Sequence, residues 1–282
     1  MVSHFSRTFA PSVRTRTQHH LPGILGGLGP LAHIEFEQRL LHHSARLGAS
    51  CDQAHPNWLL FSAASTPDRT KYLLGEGPDC TPELLQSAKL LTSMGASFLI
   101  VTCNTAHAFH QQVQSQIDIP WLHMMDATAQ YVATHFPEVH AVGILATDGT
   151  VRSQLYTKSL AQHSISTCVP TVGSAIQQRI MQSIYHPDWG VKSGGAWVSD
   201  IVLAELTAAA HWLKAQGAEL IIAGCTEISI GLAKTVDLPL NWIDPLDVIA
   251  EQTLKLVYQA APVHIERLYT KQLHKDCVGP PS

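Results

Sequence analysis

No apolar run in this chain approaches the roughly 20 residues that a membrane-spanning helix needs. The longest, such as Phe98–Val101 and Leu220–Ala223, are strand-sized. Charge is scarce: charged residues make up 14 % of the chain and the formal net charge is −4. No basic face of nucleic-acid scale follows from that balance, although a few placed cations suffice for a small anion. None of the six cysteines forms a CxxC pair, and none of the 17 histidines stands in an HExxH or Cys/His zinc pattern. No metal is expected, and the irregular cysteines read as reduced thiols of a cytoplasmic protein. Residues 1–21 begin with twenty that are free of acid and lack a secretory apolar segment, so they read as a disordered leader.

What is present is a repeat. Around Cys103 the chain reads MGASFLIVTCNTAHAF, and around Cys225 it reads QGAELIIAGCTEISI. Each has a Gly-Ala pair, four apolar residues, one small or polar residue and then the cysteine. Upstream, Gly23-Ile24-Leu25 matches Gly143-Ile144-Leu145 at nearly the same distance from each cysteine. Downstream, IDIPWLHMMD (117–126) matches VDLPLNWID (236–244). Four pairings in one order argue for duplication of a single α/β plan.

Continuous apolar runs of this kind are strands buried on both faces, as in a parallel sheet. The candidates are 22–26, 58–62, 98–102, 119–122, 141–145, 166–169, 220–224 and 240–243. Helical periodicity separates them. It is clearest over 82–94, where Thr81 and Pro82 read as a start and Gly95 as a stop, and over 201–216 before Gly217. The expected fold is α/β: two pseudo-symmetric doubly wound parallel-sheet domains with the active site in the cleft between them. Ligands bind beyond the carboxyl ends of such strands, and both Cys103 and Cys225 fall there.

A free cysteine often only fills space, and that reading suits Cys51, Cys80, Cys168 and Cys277. Cys103 and Cys225 differ, because each precedes small polar residues where a helix is expected to open. Free N–H groups there would stabilise a thiolate and bring the thiol towards neutrality. Two equivalent thiols have a chemical use. Inverting a stereocentre needs a base on one face and an acid on the other, and a thiolate and a thiol can exchange these roles. The Cα–H is a very weak acid, so donors must stabilise the carbanion; Asn104, Thr105 and Thr226 are the candidates.

The segments GILGGLGPLA (23–32), PDRT (67–70), CNTAH (103–107), GILATDGT (143–150) and GCTE (224–227) resemble the aspartate/glutamate racemase superfamily. GGLGP and GCTEIS, in place of DSGxGG and GCTHYP, mark its aspartate racemase branch. The resemblance implies cofactor-independent (PLP-independent) racemisation of aspartate or a close acidic analogue such as β-methylaspartate. It implies Cys103 and Cys225 as the two catalytic residues, and a homodimer. It also implies a first domain of 22–122 plus 243–270, a second of 123–242, and a tail of 271–282. Arg69 corresponds to an arginine that holds the substrate's distal carboxylate, a task that suits a bidentate fork; taken alone, Arg69 after Asp68 reads as a surface ion pair. Lys192 corresponds to a family lysine in a GVK-x-G segment, but three extra residues (186–188) precede it. Alone, it reads as part of a mobile loop with Gly190, Gly194 and Gly195 that could act as a lid.

Other readings stay open. Gly27-x-Gly29-x-x-Ala32 fits a loose dinucleotide pattern, but no acid ends the second strand to hold a ribose. The loop around Gly27 therefore reads as close backbone approach to a substrate carboxylate. Thr147 and Thr150 could bind substrate or cap a helix. His107 could form a Cys–His dyad with Cys103. The alternatives are a hydantoin racemase or maleate isomerase type of reaction, a non-catalytic bilobed protein that binds a small anion, and a nucleotide-dependent enzyme.

Overall fold

The computed structural model describes residues 17–194 and 197–263. The calls on 1–16, Gly195, 264–282 and Cys277 lie outside the described residues. In chain order the elements are β1 (Pro22–Gly26), α1 (Pro30–Arg46), β2 (Leu59–Ser62), α2 (Arg69–Leu74), α3 (Thr81–Ser93), β3 (Phe98–Val101), α4 (His110–Gln114), α5 (Met124–His135), β4 (Ala141–Ala146), α6 (Asp148–Arg152), α7 (Leu155–Ala161), β5 (Ser166–Cys168), α8 (Ala175–Tyr185), α9 (Val191–Gly194), α10 (Asp200–Ala215), β6 (Leu220–Gly224), α11 (Thr226–Leu232), β7 (Trp242–Ile243) and α12 (Pro245–Tyr258). Short 3₁₀ turns cover Asp52–Ala54 and Thr105–Phe109.

Two all-parallel sheets result, in the orders β2-β1-β3 and β5-β4-β6-β7. The central strands are buried throughout, as near-continuous apolar runs require when helices cover both faces. Alternate side chains then serve different layers. Ile24, Phe98 and Ile100 of the first sheet point into the same core as Ile144, Leu220 and Ile222 of the second. That shared core is completed by Phe36 and Leu40 of α1, Val132 of α5, Leu160 of α7 and Leu254 of α12. The opposite faces have separate cores. One contains Leu25, Leu99 and Val101 under α3, and the other Leu145, Ile221 and Ala223 under α8 and α10. Burying one such aliphatic side chain contributes roughly 1.5–3 kcal/mol, so a handful across the seam matches the whole net stability of a typical domain, roughly 5–15 kcal/mol.

The repeated Gly-Ile-Leu now has a physical cause. A Cβ on Gly23 would lie 2.8 Å from Ala96 Cβ and 3.4 Å from Leu91 Cβ. A Cβ on Gly143 would lie 2.7 Å from Leu213 Cδ1. Each half thus lays the end of the helix preceding its cysteine strand directly on its first strand. Both helices then stop at a glycine with positive φ, Gly95 (95°) and Gly217 (90°).

Three expectations need correction. The run 119–122 forms no strand, only one bridge between Leu99 and Trp121. Pro120 has no N–H to give to a ladder, and Trp121, 1 % exposed, fills the core instead. Residues 17–21 are tied to the fold rather than part of a leader: the His19 N–H donates to the Val257 carbonyl at 2.9 Å, and the Leu21 N–H to Ser97 Oγ at 3.0 Å. Ile243 pairs through β7 with β6 of the second sheet, and only the helix after it, α12, packs on α1 and α5. No helix among the described residues is long and apolar enough to cross a membrane.

Gly143→Ala should cost about 1–3 kcal/mol, because the added methyl must displace Leu213. Urea denaturation measures it, and an unchanged midpoint would contradict the close approach.

Candidate active site

Cys103 lies two residues past β3, and Cys225 directly follows β6. Parallel strands carry both to the carboxyl edges of their sheets, and both line one narrow pocket. It holds about 380 Å³ of atom-free space, counting the open mouth. Arg69, Lys192, Asn104, Thr105, Thr147 and Thr226 also line it. Of the candidates read from the sequence, Gly27 and Thr150 do not.

Gly27 lines a wider adjoining hollow, and its N–H donates to His33 Nδ1 at 3.1 Å, so that donor is engaged inside the protein. Thr150 belongs to a buried hydroxyl cluster. Thr105 Oγ1 lies 3.0 Å from both Thr147 Oγ1 and Thr150 Oγ1. Thr147 also caps α6 by accepting from the Thr150 N–H at 3.3 Å. Capping is therefore the role of this pair in the fold, and the cluster joins the Cys103 loop to the opposite half. Asn104 does likewise, as its Oδ1 accepts from the buried Tyr156 hydroxyl at 2.5 Å.

Arg69 opens α2, whose N-cap Asp68 accepts from the Lys71 N–H at 2.9 Å. Its Nη1 donates to the carbonyls of Thr66 (3.2 Å) and Pro67 (3.0 Å), and its Nη2 donates to that of Leu28. Three of the five N–H groups of a guanidinium are thus held by main chain. The buried Nε has no protein acceptor, which leaves the Nε/Nη2 edge as the available fork. Burial works against its charge, but the neighbouring Cys103 and Asp68 leave the Arg69 pKa raised.

Lys192 is the charged residue of the one-turn helix α9. The three extra residues (186–188) that precede it form part of a bonded turn. The His186 ring stacks on Trp189 with centroids 4.3 Å apart, and Ser193 Oγ donates to the His186 carbonyl at 2.8 Å. Lys192 Nζ reaches Glu227 Oε1 in the pocket, and Glu227 Oε2 accepts from Cys225 Sγ at 2.9 Å. Burial opposes the Lys192 charge, yet Glu227 and Cys225 raise its pKa overall. Burial would likewise raise Glu227, but Lys192 and the Cys225 hydrogen bond hold it below the usual range. Burial and then Glu227 push the Cys225 thiol well up. The expectation that the start of a helix would bring this thiol towards neutrality is corrected accordingly: Cys225 caps α11, but no side-chain capping bond forms, and the Glu227 carboxylate outweighs the nearby Lys192.

Sequence reading missed Glu227 and Tyr185. An acid two residues past a cysteine was a usable signal for the first. Tyr185, with its pKa pushed far up by burial and by Cys225, lines the pocket with no motif to mark it. His107 does not serve Cys103 as a base. The Trp121 indole N–H donates to His107 Nε2 at 3.3 Å, so Nδ1 carries the hydrogen and donates to the Cys103 carbonyl at 2.9 Å. Both ring nitrogens are engaged, and the ring holds the backbone of Cys103.

Two parallel α/β sheets thus bring two cysteines from their carboxyl ends to the wall of one pocket. Residues 25–253 match the model of the Asp/Glu/hydantoin racemase family, and the chain belongs to that family. It is 24 % identical over 241 residues to the broad specificity amino-acid racemase RacX of Bacillus subtilis, covering 84 % of this chain and 99 % of that protein. A glutamate racemase of Lysinibacillus sphaericus is 28 % identical over 176 residues, covering 58 % of this chain and 62 % of that one. The solved Picrophilus torridus aspartate racemase superposes with a TM-score of 0.70 at 25 % identity, over 84 % of this chain and 93 % of that one. An aspartate racemase homologue from Pyrococcus horikoshii shares the fold, with a TM-score of 0.66 at 19 % identity, over 85 % and 100 % of the two chains. The Picrophilus torridus structure bears out the resemblance to the aspartate racemase branch.

Burial, followed by His123 and His110, pushes His107 down to about 3, against about 6.5 in an unfolded chain. Between these values the unfolded state binds the extra proton, so stability rises with pH through this window and falls on acidification. The contribution of His107 is at most about 1.4 kcal/mol per pH unit. His107→Gln should flatten the dependence of urea midpoint on pH between about 3 and 6.5. An unaltered slope would show that the ring is not buried in its neutral form.

Proposed function

We propose that the protein racemises aspartate, or a close acidic analogue such as β-methylaspartate, without a cofactor, by proton transfer between Cα and the pair Cys103 and Cys225. What carries the reading is a single narrow pocket lined by both thiols and by Arg69 and Lys192. Lys192 reaches Glu227, which in turn accepts from Cys225 Sγ.

In the proposed reaction a thiolate takes the Cα hydrogen, so a C–H bond breaks as an S–H bond forms. The electron pair spreads onto the substrate carboxylate. The opposite thiol then gives its hydrogen to the other face of Cα and is left as the new thiolate. Donors aimed at the developing charge lower the barrier most. Thr226 and the side chains of Asn104 and Thr105 are candidates, although the last two are also bonded within the protein. The free edge of Arg69, with Lys192, suits the distal carboxylate of a dicarboxylic substrate.

A broader substrate range is the second reading, favoured by likeness to a broad specificity racemase over nearly the whole of that relative. Function as a homodimer in the cytoplasm is part of the proposal.

Chiral chromatography after incubation with L-aspartate, L-glutamate and neutral L-amino acids, with no cofactor added, separates the two readings. Acidic substrates alone should be racemised, with solvent deuterium at Cα in D₂O. Turnover of neutral amino acids at similar rates would favour the broader range. Turnover of a hydantoin or maleate alone would overturn both readings. Cys103→Ser and Cys225→Ser should each lower kcat by at least about 100-fold, in line with the contribution of a positioned acid or base. Full activity in both variants would exclude the two-thiol mechanism.

A further inference from the structure

Two sulfurs that must differ by one proton are held in unlike surroundings, although their sequence settings are duplicates. Two residues past Cys103 stands the hydroxyl of Thr105, and two past Cys225 stands the carboxylate of Glu227. Glu227 is 6 % exposed. Its Oε2 lies 2.9 Å from Cys225 Sγ while Lys192 holds Oε1. An ionised carboxylate only accepts hydrogen bonds, so this contact requires the hydrogen on sulfur. Cys103 instead shares the pocket wall with Arg69, whose guanidinium only donates. A cation beside a sulfur is where a thiolate is best accommodated.

We propose that Glu227 is a positioning residue that holds Cys225 as the protonated member of the pair and leaves Cys103 as the base of the resting enzyme. The proposal rests on the racemase reading and adds an order to it. The substrate enantiomer that turns its Cα–H to Cys103 meets the enzyme ready. The other must wait until the proton has passed from Cys225 to Cys103. After the first kind of turnover Cys103 is the thiol and Cys225 the thiolate; Cys103 then gives its proton to solvent as Cys225 takes one up, and the Glu227 carboxylate drives that exchange.

The other groups around Cys225 do not reverse this order. Lys192 on α9 opposes Glu227 and is itself paired with it. Tyr185 from α8 and Tyr156 from α7 both have pKa values raised by burial, so they stay neutral. α10 and α1 meet α11 with apolar residues such as Leu206 and Leu31.

The test is the rate of labelling by iodoacetamide, read at each cysteine by peptide mass spectrometry on the full chain without substrate. In the wild type, Cys103 should react about tenfold or more faster than Cys225 near pH 7. In E227Q, which keeps the shape and removes the charge, the pH midpoint for Cys225 labelling should fall by about one unit or more. Removing one partner of a buried pair destabilises a protein, so E227Q/K192M, with neither charge, is measured beside it. The Cys225 midpoint should fall there too, by less. Labelling of Cys225 ahead of Cys103 in the wild type, or an unmoved Cys225 midpoint in both variants, would overturn the role of Glu227.

Racemisation has an equilibrium constant of one, so kcat/KM must stay equal for the two enantiomers. E227Q should therefore change the ratio of their kcat values with a matching change in KM, which general loosening of the fold would not produce. Labelling needs no turnover. The expected midpoints with no racemisation of any amino acid would refute the racemase reading alone. Racemisation with an unmoved Cys225 midpoint would refute only the assignment to Glu227.

Discussion

The structure depends on one shared apolar layer. Ile24, Phe98 and Ile100 of the first sheet and Ile144, Leu220 and Ile222 of the second bury their side chains in the same core, among α1, α5, α7 and α12. Neither sheet can cover that face without the other. This constraint sets the carboxyl ends of β3 and β6 against one another, and the pocket is a consequence of it. The polar contacts across the seam follow the same lines. The Thr105–Thr147–Thr150 cluster and the Tyr156–Asn104 bond tie the Cys103 loop to the second half.

Within the pocket, charge is arranged asymmetrically on a nearly symmetric frame. Each sulfur has a cation close by, Arg69 for Cys103 and Lys192 for Cys225, but only the second cation has a carboxylate between it and the sulfur. Such an arrangement is costly unless every buried charge is paired. Glu227 meets that condition by engaging both of its oxygens. Arg69 meets it differently, with three main-chain acceptors from two loops, so the guanidinium is oriented before any ligand arrives. Pre-orientation of this kind lowers the entropy lost on binding a small acid.

How far the chain could be read without coordinates varied with how local the cause was. The strand before each cysteine was plain, because a run buried on both faces has only apolar residues to offer. The helix stops at Gly95 and Gly217 followed from capping chemistry within a few residues, whereas α3 opens one residue earlier than expected, with Cys80 rather than Thr81 at its N-cap and no side-chain capping bond. Residues 119–122 looked like a strand by the same rule and are not one, because Pro120 and the packing of Trp121 override an apolar run. Gly27 and Thr150 were drawn into the candidate site by sitting in the right loops. Their N–H and hydroxyl groups are taken by His33, Thr105 and Thr147, contacts that no spacing rule reports.

The sequence by itself determined the α/β plan, its duplication and the two cysteines at strand ends, because these follow from hydrophobic period and repeated local motif. The tertiary structure alone decided which groups surround each sulfur. Lys192 meets Glu227 only because the His186–Trp189 turn folds α9 over α11, and Arg69 meets Cys103 only because β2 and β3 flank β1. Electrostatic coupling depends on distance through space and on burial, and the order of residues along the chain carries neither.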